Sequence, residues 1–147
     1  FRLARWAPWL VERLMAPMGR QLQADPERAM LQVKRSFSPP DQAVMQARPE
    51  LQDAFARTLR EVYRQGARGM VHDMAICARP WGFRLEAIRV PVDVWQGEAD
   101  TNVPPAMARY FARLIPNARA HFFPGQGHFM IVSHAAEIFT TLLAREA

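Results

Sequence analysis

Two short apolar runs, Ile88 to Trp95 and Ala118 to Phe123, each give way to a glycine-bearing loop, and a single amphipathic helix separates them. Both runs carry residues suited to buried strands. The helix between them opens at Pro104-Pro105, puts Met107, Ala108, Phe111 and Leu114 on its inner face and stops at Pro116. Ser133 is expected to cap a last helix with Ile138, Phe139, Leu142 and Leu143 inside. Strand, helix, strand, helix is the pattern of a parallel sheet with crossover connections, so the fold class is α/β. Two parallel strands are normally covered on both faces and flanked by others. Neighbours must therefore come from further sequence or from another copy of the chain.

The loops are where chemistry is expected. The first reads Gly97-Glu98-Ala99-Asp100 and the second Gly125-Gln126-Gly127-His128. Sites in open α/β sheets gather at the carboxyl edge of the strands, where both loops would lie. If the strands are neighbours, the Asp100 carboxylate can accept from one nitrogen of the His128 imidazole. That fixes the tautomer and leaves the other nitrogen as a base. An aspartate after a strand is ordinarily a turn or capping residue, and a single histidine is ordinarily structural; the equivalence of the two positions points to catalysis by Asp100 and His128. Glu98 is the nearest rival acid and reads as a solvated turn residue. His72 and Asp73 fall in a helical segment with capping or surface roles, while His121, within a strand, and His134, at a helix start, read as structural.

Ahead of Trp81 the chain is helical in pattern and almost free of strand signals. Phe1 to Met15 sets Leu3, Ala7, Leu10 and Leu14 on one face. Asp25-Pro26-Glu27 has the form of a helix start, with Asp25 capping and Pro26 in the first turn, and Ser38-Pro39-Pro40-Asp41 repeats that form. Pro49 opens a helix striped by Leu51, Phe55, Leu59 and Val62. Gly66 and Gly69 punctuate its end, and Val71 to Ala78 forms a short helix.

Composition narrows the function classes. The net charge of +5 is carried by arginine, since Lys34 is the only lysine. Arg57, Arg60, Arg64 and Arg68 make one stripe on a predicted helix beside Glu61. Without an aromatic platform or a recognition motif this is a solvated face, and no nucleic-acid partner is expected. No apolar run is long enough to span a bilayer, so no membrane partner is expected either. Cys77, the only cysteine, precludes an internal disulfide, reads as a small buried apolar residue and fits the reducing cytoplasm. No metal-ligand spacing and no phosphate-binding loop occurs, so no cofactor and no metal is expected. The chain begins at Phe1 without a signal-peptide pattern and is read as a piece of something longer.

The text from Ile88 to Asp100, then Val103-Pro104, Ile115-Pro116-Asn117-Ala118 and Gly125-Gln126-Gly127-His128-Phe129, resembles the C-terminal portion of the α/β-hydrolase fold superfamily. The resemblance implies a helical cap-like region over residues 1–79 and the C-terminal β-α-β-α part of the hydrolase core over 80–147. It also implies that Asp100 is the triad acid and His128 the general base. The family's order is nucleophile, acid, histidine, with the nucleophile on a Gly-X-Ser-X-Gly elbow. Ser36, Ser38 and Ser133 are the only serines and none has that glycine frame. The nucleophile is therefore expected upstream, in a missing N-terminal half, and this polypeptide alone is expected to be inactive. The implied activity is ester or related acyl hydrolysis of a small-molecule substrate by an upstream serine. An upstream aspartate would instead give an epoxide hydrolase or dehalogenase, and a non-catalytic interaction module is the remaining alternative. Trp6, Trp9, Phe37, Met45 and Met70 are candidates to line the acyl pocket. A homodimer is expected to cover the exposed strand edge and apolar faces of the isolated piece.

Overall fold

The computed structural model describes residues 2–144, so Phe1 lies outside the described residues. Two compact units form. One comprises the chain up to Ser36 together with Met45–Phe83; the other comprises Phe37–Val44 and the chain from Arg84 onward. The segment Phe37–Val44, which in sequence sits among the cap-like helices, thus packs with the strand-bearing unit.

The chain before Trp81 is helical, and prolines divide it. Helices α1 (Arg2–Trp6), α2 (Pro8–Ala24), α3 (Pro26–Arg35), α4 (Pro39–Ala47), α5 (Pro49–Val62) and α6 (Arg68–Cys77) follow in order; all belong to the first unit except α4, most of which groups with the second, and all but the first and last begin at proline. Proline lacks an N–H that the first turn would leave unpaired in any case, and its φ is already helical. Asp25 caps α3 as expected, its side chain accepting the Arg28 N–H at 3.0 Å. The core gathers Ala4, Leu22, Ala29, Tyr63, Ala67, Val71 and Ala75, with Val11, Met15 and Met18 against it. Gly19 lets α2 approach the Tyr63 ring, since a Cβ there would lie 2.8 Å from Tyr63 Cδ1.

Several sequence expectations are corrected here. The stretch to Met15 is not one helix: Pro8 breaks it at Ala7, and the buried face becomes Ala4, Val11, Met15 and Met18 while Leu3 and Leu14 are exposed. Trp6 and Trp9 are exposed as well. The arginine stripe does not share one helix. Arg57 and Arg60 lie on α5, Arg64 follows its end and pairs with Glu61 at 2.8 Å, and Arg68 opens α6 after Gly66 turns the chain at φ +82°. Cys77, the last residue of α6, is exposed rather than buried.

The second unit holds β1 (Val92–Gly97), α7 (Pro105–Leu114), β2 (Ala118–Phe123), α8 (Met130–Ser133) and α9 (Ala135–Leu143). The two strands pair in parallel from Val92↔Ala118 to Gly97↔Phe123, and α7 packs on both. β1 begins later than the sequence suggests, after Pro91, whose missing N–H keeps it out of the ladder. Ser133 does not cap the last helix; it ends the short α8, and His134 opens α9 without a side-chain cap. Met107 on α7 and Phe139, Leu142 and Leu143 on α9 face outward, with Phe139 64% exposed. Of the apolar stripe of α9 only Ile138 is half-buried; Phe139, Leu142 and Leu143 stay exposed.

Leu22 is 0% exposed at the centre of the helical unit. Leu22→Ala should lower the unfolding free energy by about 2–5 kcal/mol, the usual range for an emptied core leucine site. Urea unfolding of the two proteins measures this, and a loss under about 1 kcal/mol would show a site that collapses on the gap.

Candidate active site

Equal strand lengths in register bring both loops out at one level, and the backbone then ties them together. Glu98 N–H donates to Phe123 C=O at 3.0 Å and Ala99 N–H to Gln126 C=O at 2.8 Å. Gly97 permits this closeness, because a Cβ there would collide with the carbonyl oxygens of Gln126 and Gly127. Gly125 supplies the turn in the second loop at φ +71°, a conformation that L side chains rarely adopt.

Across this junction Asp100 Oδ2 lies 2.9 Å from His128 Nδ1. The other carboxylate oxygen accepts the N–H groups of Asn102 at 2.8 Å and Val103 at 2.9 Å. Gln96, buried at the end of β1, holds its side-chain amide nitrogen 3.3 Å from Oδ2 and 3.1 Å from Val103 C=O. Asp100 is 8% exposed. Burial is the largest influence on its ionisation and opposes it. The donors from Val103, His128 and Asn102 together outweigh burial and hold the carboxyl below its ordinary value. An ionised carboxylate only accepts, so Nδ1 of His128 carries a proton, and in the neutral ring the lone pair falls on Nε2. The His128 side chain is 42% exposed. It lines a cavity of about 280 Å³ together with Trp95, Val103, Met130 and Ile131.

The remaining candidates fall elsewhere. Glu98 forms an ion pair with Arg109 and not with His128. His72 and Asp73 lie side by side on the exposed face of α6. His121 stacks on Trp95 with centroids 4.0 Å apart and sits 3.2 Å from Asp93 across the strand pair. His134 bonds Glu137 at 2.9 Å and Gln126 at 3.0 Å, bracing the loop that carries His128. Phe37, in the same unit as His128, is not among the residues that line the cavity beside it. The apolar lining of this cavity comes from the strand end and the α8 turn. Sequence reading missed Gln96 and Asp41. Asp41 accepts the Phe129 N–H at 2.7 Å, next to His128, from 88 positions away along the chain.

No protein-family model and no curated protein matches the chain. Among solved structures, MenH from S. aureus superposes with a TM-score of 0.58 at 23% identity, over 90% of this chain and 50% of its own. A bromoperoxidase from Bacillus anthracis does so with a TM-score of 0.52 at 16% identity, over 90% of this chain and 47% of its own. The fold is that of the α/β-hydrolases. The chain spans about half the length of these hydrolase-fold structures and corresponds to a C-terminal portion of them. The two-stranded parallel sheet of the described residues matches a C-terminal part of that fold. No helix among the described residues is long and apolar enough to cross a membrane.

The lowered ionisation range of Asp100 has a stability consequence. Between its folded and ordinary values the unfolded chain binds more protons, so stability rises with pH there. The contribution of Asp100 is complete above the ordinary carboxylate range and is lost as pH falls through the lowered value. Asp100→Asn should therefore flatten the acid limb of stability against pH, measured by urea unfolding at each pH. An unaltered acid limb would assign that limb to other carboxyls.

Proposed function

We propose that Asp100 and His128 are the acid and base of a hydrolase that cleaves esters or related acyl compounds. The observation that carries this reading is the 2.9 Å contact between Asp100 Oδ2 and His128 Nδ1 at the carboxyl edge of two parallel strands. A serine supplied by a preceding half of the protein attacks the acyl carbon, and His128 Nε2 takes its proton. Asp100 stabilises the imidazolium that results. His128 then returns the proton to the leaving group, and in the second half of the cycle it activates the water that releases the acid. The Trp95, Val103, Met130 and Ile131 lining suits an uncharged acyl group or the segment that presents the serine.

In this reading residues 1–79 are the cap-like region, except that Phe37–Val44 groups with the strand-bearing unit. The preceding half would also supply parallel strands for the open edge of β1. The apolar faces at Phe139, Leu142 and Leu143 would otherwise stay in water.

In the protein that contains the serine, His128→Ala should lower turnover of a p-nitrophenyl ester by about 10⁴-fold or more. Near-normal turnover would end the proposal. The 147-residue chain on its own should be inactive toward the same ester and should self-associate through the open edge. A monodisperse monomer in light scattering would remove the self-association.

A further inference from the structure

Asp41 is a buried ionisable side chain that the proposed reaction does not use. It is 1% exposed. It stands three residues after Ser38, at the start of α4, where a carboxylate ordinarily serves its own helix. Its oxygens are committed differently. Oδ1 accepts the Phe129 N–H at 2.7 Å, and Oδ2 accepts the Ser38 hydroxyl at 2.6 Å. Gly127 is pressed so closely on the carboxylate that a Cβ there would overlap both oxygens. Phe37 adds an edge-on contact to the Phe129 ring, 5.2 Å between centroids.

From this clasp we infer that Asp41 is a positioning residue for His128, holding the backbone on either side of the histidine so that its imidazole meets Asp100. The assignment rests on the reading of His128 as the base. The physical case is one of directionality. A buried carboxylate is costly to desolvate, and an apolar contact would tether a loop as well. A charged acceptor does something an apolar contact cannot: it fixes the direction of the amide it binds. Phe129 N–H is the amide immediately after His128, and Gly127 immediately precedes it. With both flanks held, the ring is placed by backbone geometry and not by its own packing, which fits a side chain that is 42% exposed. The contact of Gly97 with Gln126 fixes the beginning of the same loop independently.

The test uses the ¹⁵N-labelled chain and reads the imidazole of His128. The signals are the downfield Nδ1 proton shared with Asp100 and the share of the Nδ1–H tautomer. Asp41→Ala should lose the downfield proton and mix the tautomers, while the amide spectrum of the helical unit stays folded. Asp41→Asn keeps an acceptor for Phe129 N–H and should restore both signals. If Asp41→Ala does not fold, Ser38→Ala decides: it frees one carboxylate oxygen and should broaden the downfield proton. An unchanged His128 signal in folded Asp41→Ala, or in Ser38→Ala where that variant decides, overturns the inference.

In the protein that contains the nucleophile, Asp41→Ala should lower kcat by about 10²-fold with KM little changed, the effect of a base displaced by about an ångström. Should His128→Ala leave turnover intact while Asp41→Ala still disturbs the imidazole, the hydrolytic reading fails and the positioning role stands. The opposite pattern removes the positioning role alone.

Discussion

Parallel register is the constraint from which the site follows. Six residues of β1 face six of β2 without a slip, from Val92↔Ala118 to Gly97↔Phe123. Whatever comes next on each strand must emerge at the same edge and the same height. Shifting one strand by a single residue would turn each side chain to the opposite face and separate the loops. Proline and glycine hold the ends of this arrangement. Pro91 delays the start of β1, and Gly97 lets its last residue touch the carbonyls of the next loop.

Two buried carboxylates then meet at one loop, and each is satisfied in its own way. Asp100 takes two backbone donors on one oxygen and His128 on the other, so its charge is stabilised despite burial. Asp41 takes a backbone donor and a hydroxyl. Among the described residues neither has a lysine or arginine as a hydrogen-bonding partner. Dipolar groups that are already oriented do the work, and they need no reorganisation when charge shifts nearby. The cationic side chains of this arginine-rich chain engage other partners: Arg109 pairs with Glu98, and Arg64 with Glu61.

What the sequence disclosed follows the range of the forces involved. The strand boundaries at Ala118 and Phe123, the capping of α3 by Asp25 and the meeting of Asp100 with His128 depend on local pattern and short connections. Helix faces were less legible. Residues 2–24 offer two apolar stripes, and only Pro8 resets which of them points inward. The outward Phe139 and Leu143 show the limit of periodicity, which finds an apolar face without showing whether anything packs on it. Asp41 was illegible for a different reason. Ser38-Pro39-Pro40-Asp41 has the form of an ordinary helix start, and no local signal tells a capping carboxylate from one that reaches 88 residues onward.

Trp95 gives the molecule a built-in optical reporter. It lines the cavity beside His128 and lies flat against His121, whereas Trp6, Trp9 and Trp81 are exposed. Fluorescence from this one ring will report any molecule that enters the cavity, while the other three indoles, exposed and away from its lining, contribute a steady background.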